Sequence, residues 1–483
     1  MLQPKALFSF FMYDGSSTET LVAILRNEIA RLAPGDRLPS SRDLITRHGV
    51  GPVTVSRAIA LLAAEGAVVT RPGSGTYVAA RRPQAVGGDP DTSWQAVALA
   101  GRQPLPAPSA EQSGTPAVGT IALSGGYLHE SLQPTRLLGG ALARAARRPD
   151  AWHRAPAAGL STLRTVFARQ AGGDVDSEDV LVTGGGQGAL SMLFRAVAAP
   201  GAPVLVESPT YPGALAAARA AGLRPVPVPM DDQGLRPDLL ADAFAMTGAR
   251  LLYCQPTFHN PTGTVLAPDR RRQIVDVARA AGAFLIEDDF ARHLGHGRPV
   301  PRPLVADDRD GTVIHVTSLT KPASPSLRIG AVIARGPIMQ RLLGMRRVDD
   351  FFIARPLQEA AVELLSTPAW DRHLRSLATA LRHRCAGLAD AVARQLPDWT
   401  LLSVPEGGLH LWVQLPPGLT EAAVAEAATA HRVTVNPGHH HFPAEPPAAH
   451  LRLGFAAAAD PADLAEAAAR LTAAARQCAP TPG

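Results

Sequence analysis

The chain has 483 residues, 46% apolar and 18% charged, with a formal net charge of +5; this leaves room for two or three domains with sizeable cores and argues against disorder. Three cysteines, Cys254, Cys385 and Cys478, lie far apart without a C-x-x-C pair, which argues against a disulfide framework or structural zinc site and fits a reducing cytoplasm. No apolar run approaches the roughly 18 residues of a membrane span, residues 7–13 lack the cleavage site of a signal peptide, and the mild positive excess permits a polyanion partner without demanding one.

Over residues 18–31 apolar side chains recur at Leu21, Ile24, Leu25 and Ile29, with Leu32 just beyond. This is a helical period, and Pro34-Gly35-Asp36 ends it. The segment LPSSRDLITRHGV predicts a second helix capped by Ser40 or Ser41, and Gly49 then turns the chain. A third helix starts near Pro52, a residue tolerated at a first helical position, and carries Val55, Ile59, Leu61 and Leu62 toward a core. Two helices joined by a short glycine turn make a helix-turn-helix. AVVT, RPGSG and TYVAA follow as two short strands around a glycine-rich tip, a winged hairpin. Residues 36–82 hold seven arginines against Asp36, Asp43 and Glu65, a net of +4 where phosphates would lie.

Together LPSSRDL, GPVTVSRAI, LLAAEG and RPGSGTYV resemble the winged helix-turn-helix of GntR-type bacterial repressors. The resemblance implies that residues 1–82 bind double-stranded DNA, with Arg42 entering from the second helix, Thr54 and Arg57 from the recognition helix and Gly75 from the wing tip. Pro52 and Ser56 stand where many relatives place arginines, which leaves the operator sequence unread. Residues 83–118 hold six prolines and only a brief helical patch at residues 94–99, the composition of a linker.

From residue 119 onward apolar strand-like runs alternate with helical stretches, with strands expected at residues 180–182, 204–207, 250–254, 284–287, 313–316 and 329–334. That alternation predicts an α/β domain over residues 119–483 around a largely parallel sheet, whose ligands sit at the carboxyl ends of the strands.

The chain contains only two lysines, Lys5 and Lys321. Arginine stays protonated, whereas a lysine amine can be desolvated, lose its proton and condense with an aldehyde. Ser318 lies three residues before Lys321 and Arg328 seven residues after it, and a hydroxyl with a guanidinium suits a phosphorylated aldehyde. A surface lysine in a loop rich in proline and serine is the plain alternative. Gly185, Gly186 and Gln187 open a helix after a strand, and N–H groups at a helix start bind phosphate. Tyr211 in ESPTYPG is either a site aromatic or an ordinary rim tyrosine, and Asn260 lies in an NPTG string. Asp288 and Asp289 end a strand. They could be a metal pair, but no His or Cys with ligand spacing accompanies them, and no metal is expected. Arg452 in HLRLGFA offers a bidentate guanidinium for a carboxylate. Residues 439–441 are consecutive histidines, expected to diverge and to line a loop at the mouth of the site.

Taken in order, these strings resemble the fold-type I aminotransferases that use pyridoxal 5'-phosphate (PLP). The whole chain resembles the MocR/GabR family of bacterial transcription regulators, a GntR-type domain fused to an aminotransferase-like domain. The resemblance implies PLP on Lys321 as an imine, its phosphate held by Gly185, Gly186, Gln187, Ser318 and Arg328. It further implies Tyr211 on the pyridine face, Asn260 at the phenolic oxygen, Asp288 at the ring nitrogen and Arg452 on an effector carboxylate. A head-to-tail homodimer and a small amine or amino-acid effector complete the expectation. An active aminotransferase carrying an appended DNA-binding domain is the rival. Two positions depart from the family pattern: Phe290 replaces a tyrosine, and Arg154 stands where an aromatic is usual.

Overall fold

The computed structural model describes residues 17–80, 91–100 and 119–478, so Lys5 and the 7–13 patch lie outside the described residues. The chain divides into two compact units, Met1–Gly101 and Arg102–Gly483. That division falls inside the segment expected as a linker, of which residues 91–100 are described.

In the first unit α1 (Ser17–Ile29), α2 (Ser41–His48) and α3 (Pro52–Ala64) precede a hairpin of β1 (Val68–Arg71) and β2 (Gly75–Val78), paired antiparallel from Val68↔Val78 to Arg71↔Gly75. Ser40 caps α2: its side chain accepts from the Asp43 N–H while the Asp43 carboxylate accepts from the Ser40 N–H. Gly49 ends α2 at φ 62, a left-handed conformation that glycine adopts without a Cβ penalty. Leu21, Leu25, Leu38, Leu44, Val55, Leu62, Val68 and Val78 form the core, each fully buried side chain contributing about 1.5–3 kcal/mol. The apolar period overshoots here. Ile24 and Leu61 are exposed, because three short helices and a hairpin bury only a narrow stripe of each helix, and Leu32 is exposed beyond the end of α1. A further helix, α4 (Ser93–Leu99), buries nothing.

The second unit is an α/β fold. Its strands are β3 (Ile121–Ala122), β4 (Val180–Thr183), β5 (Pro203–Ser208), β6 (Arg224–Asp231), β7 (Gly234–Leu235), β8 (Leu251–Cys254), β9 (Phe284–Asp288), β10 (Val313–Ser318) and β11 (Gly330–Ile333), followed by β12 (Thr400–Leu401), β13 (His410–Gln414), β14 (Val433–Thr434), β15 (Asn436–Pro437) and β16 (His450–Gly454). Its helices are α5 (Thr135–Ala145), α6 (Ser161–Ala171), α7 (Gly186–Val197), α8 (Pro212–Ala220), α9 (Pro237–Thr247), α10 (Pro268–Ala280), α11 (Pro337–Asp349), α12 (Arg355–Leu365), α13 (Pro368–Gln395), α14 (Glu421–Ala430) and α15 (Pro461–Cys478). The large sheet runs β4-β11-β10-β9-β8-β5-β6-β7. Neighbours from β10 through β6 are parallel, while β11 runs antiparallel to both β10 and β4.

Both faces of this sheet are covered by apolar clusters, which is why its central strands read as continuous apolar runs. β6 escaped the sequence reading because Pro225, Pro227 and Pro229 alternate along it. A proline at every second position still leaves the intervening N–H groups for the ladder to β5 and strips donors from the outer edge. A smaller sheet, β12-β13-β16-β15, packs on α13 and α15 through a third cluster. No helix among the described residues is long and apolar enough to cross a membrane.

Candidate functional site

Lys321 follows β10, whose neighbour β9 ends level with it at the carboxyl side of the parallel strands, with Val316 opposite Asp288. The Lys321 Nζ donates to the Gly126 carbonyl oxygen at 2.6 Å and sits 3.8 Å from the centre of the Tyr127 ring. Arg452, buried on β16, donates from Nη2 to the Ser124 carbonyl oxygen at 2.8 Å and from Nη1 to Asn260 Oδ1 at 3.2 Å. With the Asn436 amide turned so that its oxygen accepts, Nη2 also reaches that oxygen at 2.9 Å. A Cβ on Gly126 would lie 3.7 Å from Lys321 Nζ and 3.9 Å from Arg452 Nη2. Lys321, Asn260 and Arg452 therefore share one pocket, joined by the 124–127 segment. Sequence reasoning missed that segment because its carbonyl oxygens leave no side-chain signature.

Beside this pocket, α7 starts at Gly186 with no side-chain cap, so its first N–H groups remain for a ligand. A Cβ on Gly186 would lie 3.9 Å from the Ser318 Cβ, and one on Gly185 only 3.0 Å from the Arg328 guanidinium. Arg328 Nη2 donates to the Gly184 carbonyl oxygen at 2.5 Å. Ser318 Oγ is bonded to Thr320 Oγ1 at 2.9 Å. Glycine at 185 lets the guanidinium lie against the helix start, and its φ of 87 is itself a glycine conformation. A helix N-terminus, a hydroxyl and a guanidinium converge, an arrangement that can hold a phosphate.

At the end of β9, Asp288 accepts from Tyr253 at 2.7 Å and from Gln255 at 2.9 Å, both on Oδ2, so Oδ1 remains for another donor. Burial raises this carboxyl above its usual range. A cationic ring nitrogen arriving there would offset that effect. Gln187 is engaged through its side chain: its amide donates to the Gly213 carbonyl oxygen and accepts from the Tyr211 hydroxyl at 3.0 Å. The Tyr211 ring lies against Gly213, where a Cβ would come within 2.3 Å of it.

One cluster escaped the sequence spacing. Glu287, Asp289 and His315 come together, with one ligand atom of each within 4.8 Å of the others. Their partners describe an ion network. Glu287 accepts from His315 Nδ1 at 2.9 Å and from the Leu304 N–H at 2.8 Å, Arg271 lies 3.8 Å away, and Arg292 is hydrogen-bonded to Asp289. Burial alone would raise Glu287, but His315 and the backbone donors hold it below its usual range, whereas burial raises Asp289.

Phe290 lines a cavity of about 10 Å³ with Asn260, His259 and His410, room for about one water. Arg154 is exposed, its guanidinium 5.9 Å from the Phe352 ring centre. The three histidines do not all diverge as expected. The His439 and His440 rings lie 3.9 Å apart, while His441 turns inward and is fully buried. A larger cavity of 420 Å³ opens at the start of α6, away from Lys321, and its arginines Arg148, Arg164 and Arg355 are paired with Glu359 and Glu178.

In the first unit Arg42 and Arg57 are exposed and pair with no carboxylate among the described residues, while Thr54 is half-buried. Gly75 has φ 118, and a Cβ there would strike the Arg37 guanidinium at 2.8 Å. Arg71 stacks on Tyr77 at 4.9 Å. Arg37 and Arg71 therefore add cations to the wing that the sequence reading did not name individually, though Arg71 stood in the quoted RPGSG string.

Residues 17–78 match the gntR family of bacterial regulatory proteins, and residues 142–471 match aminotransferase class I and II. The chain is 31% identical to the HTH-type transcriptional regulator YdcR of Escherichia coli (strain K12), over 87% of this chain and 91% of that one. It is 29% identical to the 2-aminoadipate transaminase of Thermus thermophilus, over 66% of this chain and 81% of that one. Among solved structures, LysN, the alpha-aminoadipate aminotransferase from Thermus thermophilus complexed with N-(5'-phosphopyridoxyl)-L-leucine, superposes with a TM-score of 0.70 at 28% identity, covering 75% of this chain and 93% of that one. A GntR winged helix followed by a fold-type I aminotransferase domain, in a chain that aligns nearly end to end with an HTH-type regulator, makes this protein a member of the MocR-type family.

Proposed function

We propose that the chain is a DNA-binding transcription regulator whose aminotransferase-like unit holds PLP and senses an amine or amino acid by capturing it covalently on that cofactor. In this reading residues 1–82 bind operator DNA, 83–118 link, and 119–483 sense, within a head-to-tail homodimer. The observation that carries it is the convergence of Lys321, Asn260 and Arg452 on one pocket, beside the α7 start, Ser318 and Arg328. That donor set fits a phosphorylated pyridine aldehyde: anion donors at one end, the buried Asp288 carboxyl at the other and a primary amine between. When bound, PLP supplies an aldehyde that condenses with primary amines and a ring that accepts electron density.

The chain's own groups do the rest. Lys321 offers the amine, and the Gly126 carbonyl gives its N–H a place to rest. Asp288 holds a proton at the ring nitrogen. Asn260 keeps its Nδ2 as a donor while its Oδ1 braces Arg452. Arg452 binds a carboxylate and sets the ligand's orientation. Occupation of this pocket then changes DNA affinity.

Borohydride reduction and peptide mapping of the PLP-loaded protein should place the pyridoxyl group on Lys321, and Lys321→Ala should abolish the label. Label elsewhere, or none, overturns the reading. The similarity to 2-aminoadipate transaminase supports a second reading, an active aminotransferase. Sustained amino-group transfer to a keto acid over many turnovers would favour it over a sensor.

A further inference from the structure

We propose that His441 and His410 form a proton-accepting wall of the effector pocket, so that a carboxylate bound by Arg452 enters together with a proton. This narrows the effector class to amino acids over simple amines, and it rests on the cofactor and effector reading above.

His441 ends the short 3-10 turn Gly438–His441 and is fully buried. Its Nδ1 lies 2.9 Å from the Thr210 carbonyl oxygen. A carbonyl oxygen only accepts, so Nδ1 carries the hydrogen and Nε2 of the neutral ring is a bare lone pair. No hydrogen-bond partner among the described residues reaches that buried Nε2. An unmet buried acceptor is costly, which marks it as waiting for a donor. His410, on β13, likewise has a buried ring nitrogen, Nδ1, without a hydrogen-bond partner among the described residues.

The sheet register puts these groups together. Trp412 pairs with Arg452 and His410 with Gly454, so His410, Trp412 and Arg452 project from one sheet face. The Trp412 ring meets His441 edge-on at 5.5 Å. Gly454 has no side chain on that face, and a Cβ there would strike the Gly125 carbonyl oxygen at 2.4 Å, so the 124–126 segment crosses it.

The charged and titratable neighbours come from every element around the two rings. β16 contributes Arg452, the loop after β10 contributes Lys321, and the loop after β8 contributes His259, which sits 3.3 Å from Glu207. The turn itself contributes His440, with His439 bonded to Glu421. Burial first and Arg452 second hold both His441 and His410 well below the usual histidine range. Both rings are therefore neutral in the ligand-free pocket.

A carboxylate arriving at Arg452 cancels the charge that suppresses protonation. Its negative charge also favours a proton on the buried His441 Nε2, which no hydrogen-bond donor among the described residues reaches. Both effects raise the affinity of the rings for a proton. The bound state then holds more protons than the free state, so carboxylate affinity rises as pH falls below the ordinary imidazole range. A ligand without a carboxylate gains nothing from either effect.

The test uses two preformed probes on the cofactor-free full chain, N-(5'-phosphopyridoxyl)-L-leucine and its counterpart lacking the carboxylate, N-(5'-phosphopyridoxyl)-3-methylbutylamine. Calorimetry in buffers of different ionisation enthalpy should show proton uptake with the first and not the second. Their affinity ratio should grow by up to about tenfold per pH unit lowered. His441→Asn, whose amide nitrogen stands where Nδ1 does and can still donate to Thr210 but cannot titrate, should reduce the uptake. Equal uptake with both probes, or none with the leucine probe, overturns the proposal. If neither probe binds, the cofactor reading fails, and the proposal is judged on ligand-free protein by histidine nitrogen NMR. There Arg452→Gln should move the His441 and His410 titrations upward, and unchanged titrations overturn it.

Discussion

Among its described residues the first unit keeps its charges outside and buries no charged side chain. Its ion pairs, Arg26–Glu65 at 2.6 Å and Arg47–Glu28 at 3.8 Å, lie among exposed side chains, and its candidate contacts Arg42 and Arg57 face solvent. The second unit does the opposite at its site: Glu207, Glu287, Asp288, Asp289, His410, His441 and Arg452 are all buried. A surface built to meet phosphates keeps its cations hydrated and lets long-range attraction act. A pocket built to hold a small ligand removes water so that each hydrogen bond discriminates, and it needs a large fold to carry the cost of burying charge. The same chain thus shows charge used as a field in one unit and as fixed partners in the other.

The largest effect that would break this contrast comes from removing one side of it. Protein lacking residues 1–82 should lose DNA binding altogether and keep its PLP absorbance, and loss of both would show that the units are not separable. In the intact chain, affinity of the dimer for a two-half-site operator should fall steeply with salt, and Arg42→Ala should lower the slope of log affinity against log salt by about two, one for each subunit. An unchanged slope would remove Arg42 from the DNA contacts.

Acid should separate the units next. His293, His296, His373, His410, His440, His441 and His450 all stand below the usual histidine range, each chiefly through burial. A histidine whose folded pKa is lowered leaves stability untouched above the unfolded value. As pH falls through that value the unfolded chain binds protons that the folded chain refuses, and stability drops until the folded pKa is reached. For His293, pushed from 6.5 to about 4 by burial and then by Arg292, this amounts to at most about 3 kcal/mol by pH 4. Asp288 and Asp289, raised by burial, act with the opposite sign but are fewer. In the first unit the shifted carboxylates Asp43, Glu65 and Asp91 are lowered, chiefly by hydrogen bonds from Ser40, Arg26 and Ser93, so their contribution is lost only as pH falls through the carboxylate range. Between pH 6.5 and 4.5 the melting of the second unit should therefore fall while that of the first holds. Parallel losses in differential scanning calorimetry would contradict this account.

What was legible in the sequence follows the same divide. The first unit could be read closely, because caps, turns and a hairpin are local: Ser40, Gly49, Pro52 and the strands around Gly73 stand where the spacing put them. Its errors were two helix faces, Ile24 and Leu61, since periodicity does not say how wide a stripe neighbours will cover, and Leu32, which falls beyond the end of α1. In the second unit the central strands read clearly as apolar runs, and Lys321, Asn260, Asp288 and Arg452 stood in recognisable strings. Other groups of the buried region did not. The Ser124 and Gly126 carbonyls act through backbone, His410 and His441 gain meaning only from burial and register, and His315 joins Glu287 and Asp289 across neighbouring strands. Contacts made between elements distant in sequence leave no local pattern to find.

The smallest predicted effect compares two helix caps of the same chemistry. Ser40 accepts from the Asp43 N–H at 3.2 Å in the first unit, and Thr420 accepts from the Ala423 N–H at 3.3 Å at the start of α14 in the second. Both bonds are exposed, so replacing either residue by alanine should cost about 1 kcal/mol. The melting shift is that cost divided by the unfolding entropy, which grows with the size of the cooperative unit. For the small first unit the shift should be about 7 °C, and for the much larger second unit about 1 °C. Calorimetry of the full-length Ser40→Ala protein should show only one of two transitions moving by that larger amount. If both transitions moved together by a small amount, the chain would unfold as a single block, and the two ways of using charge would belong to one cooperative structure instead of two.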